Sequence, residues 1–316
     1  MRACRSPYRV RLGIGPHTLR VRAVDSKGRT SRATRVRIRI LQRPAPEVRV
    51  GMSPLDVIAT GDTLWTENYG DGTVSIVDVS TRSVRSVQVG GVPGGIAYGA
   101  GTVWVTDFGD GTVTRMDTTG RVVARISLAG QSSGIAIDGG TAYVADYTGG
   151  LWRIDAATNA VLGQTALPGQ AEAVAVGFGR VWVTNANGTV TMLDPETGVV
   201  VGAPIAVGSD ADALSLTSDS VWAVALYGQT LARIDPASGR VVTRVHTPGQ
   251  ASGVLAAGGS VYVSSYDAAS VSRYDVNTGR FVKTYRVGRK PRSLAEAQGA
   301  IWVANQSSNS LSRITP

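Results

Sequence analysis

The chain repeats one pattern of apolar and polar positions seven times between about residue 46 and its end. An aromatic anchor recurs at intervals of 39 or 40 residues, at Trp65, Trp104, Tyr143, Trp182, Trp222, Tyr262 and Trp302. Eight residues before each anchor stands an aliphatic side chain, namely Val57, Ile96, Ile135, Val174, Leu214, Val254 or Leu294. Self-similarity at this period indicates a repeat architecture, in which every repeat forms one supersecondary unit.

Within a repeat, alternating apolar residues and glycine-rich turns predict four short strands, A to D. In the second repeat they cover residues 95–98, 102–106, 112–117 and 122–128, and Gly109-Asp110-Gly111 favours a tight hairpin. One four-stranded sheet cannot bury both of its faces, so neighbouring sheets have to stack, and a closed ring leaves only short edges. The sequence therefore predicts an all-β fold, a seven-bladed β-propeller.

The last repeat supplies three strands and ends at Pro316, so its strand D has to come from elsewhere. Residues 47–51 lead into Ser53-Pro54 much as residues 285–288 lead into Lys290-Pro291. We therefore expect residues 47–51 to complete blade seven. The ring would then be closed by hydrogen bonds between the N- and C-terminal segments.

Three motifs recur in the repeats, most clearly over residues 102–117 and 180–199: Gly-x-Val-Trp-Val-Thr, Gly-Thr-Val and Asp-Pro-x-Thr-Gly-x-Val. They resemble the repeats of the YVTN-type propeller family and, more distantly, those of virginiamycin B lyase-like propellers. This resemblance implies a binding or sensor module of a bacterial envelope or secreted protein. The resemblance also leaves open that the chain is an enzyme, since virginiamycin B lyase is an enzyme with a similar seven-bladed propeller.

Before the repeats, residues 15–25 and 36–40 resemble the final strands of a bacterial immunoglobulin-like domain, with Leu19, Val21 and Ala23 alternating with exposed positions. We predict two domains: 1–43, truncated immunoglobulin-like strands with the start of a linker, and 44–316, the propeller. Two or three strands do not make a sandwich. The interpretation we favour is that the chain is a fragment of a longer protein; the alternative is that the hairpin docks elsewhere.

The formal net charge of +9 belongs to the N-terminal piece. Residues 1–43 hold 13 of the 32 basic residues and one of the 23 acids, which leaves 19 basic against 22 acidic residues in the remainder. Arg35, Arg37 and Arg39 could meet phosphates, but no nucleic-acid motif is present and an exposed face of a truncated sandwich is favoured. We therefore expect no nucleic-acid partner.

Other sequence features bound the class of protein. No run of 18 apolar residues is present, so no transmembrane segment is expected, and no signal peptide is visible. Cys4 is the single cysteine, which excludes an intrachain disulfide. An extracellular or envelope location is implied by the resemblance alone.

A residue that recurs in every blade is architectural, so function is expected where the blades differ. The aspartates at the end of strand C illustrate the first kind, and we interpret them as turn caps: Asp78, Asp117, Asp155, Asp194, Asp235 and Asp275. Ten residues before the anchors, at the expected channel mouth, stand Leu55, Gly94, Ser133, Glu172, Asp212, Ser252 and Arg292. The three charged residues indicate a ligand site as a cluster, whereas each alone suits a solvated loop charge.

Aromatic residues are enriched four residues after the anchors, at Tyr69, Phe108, Tyr147 and Tyr266. They predict a stacking surface for a sugar, a peptide or a flat ligand, or else lids over the ends of the blades. Three residues after the anchors stands a column of polar residues, namely Asn68, Asp107, Asp146, Asn185 and Asn305. We expect it to hold loop backbones, with binding of Ca²⁺ or Mg²⁺ by Asp107 and Asp146 as the alternative.

Two carboxylates stand in otherwise apolar or small columns, Glu67 in strand B and Glu296 in strand A. A carboxylate in such a place can acquire a raised pKa, or it can pair with an arginine. For either reason we include Glu67 among the ligand-binding candidates.

The predicted function is non-catalytic recognition of a protein, peptide or glycan at the loop face around the channel, by a monomeric propeller without a cofactor. Virginiamycin B lyase-type chemistry uses histidine and glutamate beside a divalent cation, and neither His17 nor His246 matches those positions. The alternative is a metal-dependent lyase or lactonase-like hydrolase that uses carboxylates at the mouth, from Glu67, Asp107, Asp146, Glu172, Asp212 and Glu296.

Overall fold

The computed structural model describes residues 15–40 and 44–316, which fall into two units that divide after Pro44. In the first unit, strand β1 (Gly15–Val21) pairs antiparallel with β2 (Thr34–Ile40). Strands are therefore present where the sequence predicts them, while their assignment to an immunoglobulin-like domain stays a prediction. Cys4 and the linker residues 42 and 43 lie outside the described residues.

The second unit begins with β3 (Glu47–Arg49) and continues through seven blades. The strands of blades one to four are β4 (Pro54–Thr60), β5 (Thr63–Asn68), β6 (Thr73–Asp78), β7 (Val84–Gln88), β8 (Pro93–Gly99), β9 (Thr102–Asp107), β10 (Thr112–Met116), β11 (Val122–Ser127), β12 (Ser132–Asp138), β13 (Thr141–Asp146), β14 (Gly150–Asp155), β15 (Val161–Ala166), β16 (Ala171–Gly177), β17 (Arg180–Asn185), β18 (Thr189–Leu193) and β19 (Ile205–Ala206).

The strands of blades five to seven are β20 (Ala211–Leu216), β21 (Val221–Ala225), β22 (Thr230–Asp235), β23 (Arg240–His246), β24 (Ala251–Ala257), β25 (Ser260–Ser265), β26 (Ser270–Asp275), β27 (Phe281–Arg286), β28 (Pro291–Ala297), β29 (Ala300–Asn305) and β30 (Ser310–Ile314). A short 3-10 turn, Gln306–Ser308, separates the last two. Every blade is an antiparallel sheet of four strands, so the predicted all-β seven-bladed propeller is confirmed.

The ring closes as the sequence predicts. Strand β3 is the fourth strand of blade seven, and it pairs with β30 through Val48 opposite Leu311. The Ser310 hydroxyl donates to the Glu47 carboxylate over 2.7 Å. Attachment starts before the strand, because the Ala45 amide donates to the Arg286 carbonyl over 2.9 Å. Ala45 is therefore already attached to blade six.

The core lies between blades and contains the aromatic anchors. Trp65 is fully buried and packs with Val103, Val105 and Met116 of the next blade. Trp302 packs with Leu64 of blade one and so joins the two ends of the ring. Each anchor thus serves an interface between neighbouring blades, which is why one blade alone has no complete core.

The repeated aspartates are turn caps, as predicted. The Asp117 carboxylate accepts hydrogen bonds from the Thr119 hydroxyl and amide and from the Arg121 amide. These bonds, with that of the Thr119 hydroxyl foremost, hold the pKa of Asp117 at about 2. These carboxylates accept hydrogen bonds from the backbone amides of their own turns, at the end of the propeller where strands C and D connect.

Candidate functional site

Strand A of each blade lines a central channel, which opens into a cavity of about 860 Å³ at one end. All seven residues that stand ten positions before the anchors line this cavity, together with several B–C loops. The loops before strand A and the loops between strands B and C therefore share one face, as expected from the sequence. We call this end the channel mouth.

A β-bulge at the start of strand A orients the side chains that stand ten positions before the anchors. The register shifts between Ala171 and Val174, between Ala211 and Ala213, and between Pro291 and Leu294. Glu172, Asp212 and Arg292 each lie inside such a shift. A bulge takes one residue out of the ladder and turns its side chain away from the sheet. The local irregularity thus brings side chains from blades four, five and seven to one site.

Arg292 reaches across the channel to blade five. Its Nη1 atom lies 3.4 Å from Oδ2 of Asp212, whose side chain is 9% exposed, against 26% for Arg292. The Asp212 carboxylate raises the pKa of the Arg292 guanidinium, with further contributions from Asp56 and Glu172. The predicted cluster of Glu172, Asp212 and Arg292 is therefore formed, and it also includes Asp56.

Glu172 is a partly buried carboxyl group at the channel mouth, and its pKa is strongly raised. Burial, the Asp212 charge and a hydrogen bond with Asp212 raise the pKa of Glu172 to about 9. Burial likewise raises the pKa of Asp56 to about 6, and it raises the pKa of Asp210. The raised pKa favours the protonated form of Glu172 at neutral pH, in which its carboxyl group can donate a hydrogen bond to Asp212.

Glu67 lies behind the wall of the cavity. Its side chain is fully buried, and Oε1 accepts a hydrogen bond of 2.6 Å from the amide of Asp56, which lines the cavity. Oε2 has no hydrogen-bond donor among the residues that the structure describes. Burial and the Asp56 charge raise the pKa of Glu67 well above its ordinary value. A raised pKa is expected for Glu67, because the equivalent positions of the other blades hold apolar or small residues.

The predicted aromatic side chains are divided between the cavity and its edge. Tyr69, Phe108 and Tyr147 line the cavity, and the rings of Phe108 and Tyr147 meet edge to face with centroids 5.4 Å apart. The Tyr266 ring lies instead beside Arg292, whose guanidinium carbon is 5.8 Å from its centroid. A further ring, Tyr227, lines the cavity and is 66% exposed.

Three residues that line the cavity are not among the site residues predicted from the sequence. Tyr227 follows the aromatic column by one position, so a search at a fixed offset passes over it. Asp210 stands two residues before Asp212, with a φ of 62° that places it in a turn. Asp56 could have been found, because its column holds glycine, alanine or serine in every other blade.

The polar column holds loop backbones. The Asp107 carboxylate accepts from the amides of Val92 and Gly109, and the Asp146 carboxylate accepts from the amides of Gln131 and Thr148. Within the described part of the chain, no group of three or more His, Cys, Asp or Glu side chains could hold a metal ion. Metal binding by these two aspartates therefore stays a prediction that this geometry does not favour.

Replacing Glu172 by glutamine is expected to make stability less dependent on pH. A folded-state pKa of about 9 against about 4.5 in the unfolded chain means that the stabilisation is complete below pH 4.5 and is lost as the pH rises to about 9. Glu172→Gln should therefore gain stability relative to the wild type as the pH rises from about 5 to about 9, as measured by urea denaturation.

The matched control is Glu296→Gln. Glu296 is also on a strand A, but it is exposed, so this change should leave the pH dependence of the wild type. A difference between Glu172→Gln and the wild type that stays constant with pH would contradict the burial of a neutral Glu172 carboxyl group.

Comparison with known proteins places the chain among the propellers. The family described as outer membrane protein assembly factor BamB, a PQQ-like repeat family, matches residues 55–285. Hydrazine synthase from Kuenenia stuttgartiensis is similar in structure, with a TM-score of 0.75, 19% identity, and coverage of 84% of this chain and 96% of that chain. That likeness shows the fold alone. No curated protein matches this chain significantly. The resemblances to YVTN-type repeats and to virginiamycin B lyase-like propellers stay predictions.

Proposed function

We propose that this chain, which belongs to the propeller family described as outer membrane protein assembly factor BamB, is a binding module that holds a polypeptide segment at its channel mouth. The observation that carries this proposal is the open cavity of about 860 Å³. Its lining differs in chemistry from blade to blade, whereas the buried anchors repeat. The volume is in the range of about 300–1,000 Å³ that is usual for ligand sites.

Exposed rings at the mouth supply the contact surface. Tyr69 is 43% exposed and Tyr227 is 66% exposed, and both are on B–C loops that line the cavity. Large aromatic side chains contribute most to the binding free energy, because they bury a large apolar area and lose little rotamer entropy. Two such loops on different blades suit a ligand long enough to touch both.

Polar groups between the rings suit the main chain of a peptide. Ser209, Ser215, Ser293 and Gln170 line the same cavity and can both donate and accept hydrogen bonds. Backbone amides need both kinds of partner when they lose water. The description of the family as an assembly factor for proteins also supports a polypeptide as the ligand.

The proposal predicts that peptides selected on the full chain bind through the mouth aromatics. A random dodecapeptide library displayed on phage would be panned on the wild type, and the enriched peptides would be titrated by fluorescence anisotropy. We expect the double variant Phe108→Ala/Tyr147→Ala to bind them about tenfold or more weakly, because two rings that line the cavity and pack on each other are lost. Its thermal melt, followed by circular dichroism, checks that the fold is retained.

Tyr98→Ala is the matched control. Tyr98 is 45% exposed, but it lies at the opposite end of its strand A, next to the A–B hairpin. Its replacement should leave peptide affinity unchanged. The proposal fails if no peptide is enriched, if affinity survives loss of Phe108 and Tyr147, or if it is lost with Tyr98.

A further inference from the structure

Arg292 shows how this channel holds a guanidinium group. Its Nη1 atom lies 3.4 Å from the Asp212 carboxylate, and its guanidinium carbon lies 5.8 Å from the centre of the Tyr266 ring. A carboxylate supplies charge-assisted hydrogen bonds, and an aromatic face adds a cation–π attraction. The Arg292 guanidinium thus lies near one acidic and one aromatic side chain, and the same ring also has Nζ of Lys290 at 5.1 Å from its centroid.

The same two kinds of side chain meet on blades three to five, where Arg292 acts on the carboxyl groups only through its charge. Glu172, Asp210, Tyr147 and Tyr227 all line the cavity, and we call them the acidic–aromatic pocket. They are close together: burial raises the pKa of the Tyr147 phenol, and Glu172, Asp210 and Tyr227 raise it further. Over the described ranges, no arginine or lysine side chain lies against the ring of Tyr147 or Tyr227.

The charge balance around the channel also lacks positive charge. Of the described residues that line the cavity, Arg292 is the one arginine or lysine. The carboxyl groups there or at the wall number five, namely Asp56, Glu67, Glu172, Asp210 and Asp212. Burial raises the pKa of Glu67, Asp56 and Glu172, which favours their neutral forms in the absence of a further cation.

Glu67 adds a further carboxyl group next to the channel, beyond those that line the cavity. Its fully buried carboxyl group touches the main chain of a lining residue, and Oε2 finds no donor in the part of the chain that the structure describes. An unpaired buried oxygen of this kind costs free energy that a donor would recover. A positively charged ligand in the cavity therefore offsets the surplus of carboxyl groups, while Glu67 itself stays behind the wall.

We infer that the acidic–aromatic pocket binds the cationic side chain of an arginine or lysine carried by the polypeptide at the channel mouth. The inference rests on the proposed function, because it requires a polypeptide to enter the mouth. Arginine suits the pocket especially well: its planar guanidinium can stack on a tyrosine face while it donates to a carboxylate. Its aliphatic stem would lie along the exposed ring of Tyr227.

The test compares two blocked pentapeptides that differ in one charge. One reads glycine, tyrosine, arginine, tyrosine, glycine, and the other carries citrulline, the neutral isostere of arginine, at its centre. Isothermal titration calorimetry on the full wild-type chain is expected to give about tenfold or more tighter binding for the arginine peptide, since a desolvated charge pair is lost with citrulline. The preference should nearly vanish in Asp210→Asn, and it should fall in Glu172→Gln, because glutamine cannot lose a proton to form a carboxylate beside the bound arginine.

The choice of asparagine and a matched control make the test specific for the charge of Asp210. Asparagine tolerates the positive φ of 62° at position 210, so Asp210→Asn keeps the backbone while it removes the charge. Asp138→Asn is the matched control, because Asp138 ends a strand A at the opposite end of the channel, where it is exposed. This control should keep the full preference for the arginine peptide.

The possible outcomes separate the inference from the proposed function. Equal affinity for the two pentapeptides, or a preference that survives in both Asp210→Asn and Glu172→Gln, would overturn the inference. If the pentapeptides fail to bind while library peptides still bind through Phe108 and Tyr147, the cationic pocket is wrong and the polypeptide site stands. If no peptide binds at the mouth, both are wrong.

Discussion

Replacing Trp302 by alanine is expected to lower the free energy of unfolding by about 3–5 kcal/mol. Trp302 is fully buried, and it packs with Val48 of the closing strand and with Leu64 of blade one. Its removal therefore leaves a cavity at the junction that joins the first and last blades. Equilibrium denaturation in urea, followed by circular dichroism, measures the loss.

The control for Trp302→Ala is Phe281→Ala. Phe281 is 59% exposed on the outer strand of blade six, so its loss should cost less than about 1 kcal/mol. If Trp302→Ala costs no more than Phe281→Ala, the anchors are not the core between blades. That result would contradict the central feature of the fold.

Replacing Arg292 by methionine is expected to cost about 2 kcal/mol of unfolding free energy at about pH 8. Breaking a fully buried ion pair costs about 3–5 kcal/mol, and the 26% exposure of Arg292 reduces that figure. The variant leaves the Asp212 carboxylate, 9% exposed, beside Asp56 and Glu172 with no cation. Urea denaturation of the variant and the wild type measures the loss.

The pH dependence and a second substitution identify the cause. The cost of Arg292→Met should shrink towards pH 5, because protons then neutralise Asp56, whose pKa is about 6, and Glu172, whose pKa is about 9. Adding Asp212→Asn should recover part of the loss, because the unpaired charge is removed. Arg286→Met, at an exposed position on β27, is the control and should have little effect. A loss that is unchanged by pH and by Asp212→Asn would show that Arg292 acts through packing alone.

The repeat explains why the fold could be predicted from the sequence. Each anchor such as Trp65 or Trp302 recurs because every interface between blades needs the same buried ring, so seven copies of one constraint are visible in a single chain. The closing strand was equally visible, since residues 47–51 have the residue pattern of a strand D. Strand limits were less accurate: in blade two the bulge lengthens strand A to Pro93–Gly99.

The mouth was predicted only in part, for physical reasons. Positions at a fixed offset from the anchor, such as Glu172 and Arg292, could be found because the bulge occurs in the same place in each blade. Asp210 stands in a column of mixed residue types whose backbone hydrogen bond recurs in every blade, and Tyr227 stands one position after the aromatic column, so neither residue is conspicuous in the sequence. The reach of Arg292 over two blades to Asp212 depends on ring geometry, which the sequence does not contain.

Photo-crosslinking of a library-selected peptide is the most direct test of binding at the channel mouth. The peptide would carry a benzophenone group, and mass spectrometry would locate its attachment on the full chain. We predict attachment within the B–C loops, at residues 69–72, 108–111, 147–149 and 226–229. Attachment confined to the A–B hairpins at the opposite end, at residues 60–63, 99–102 and 138–141, would contradict the account.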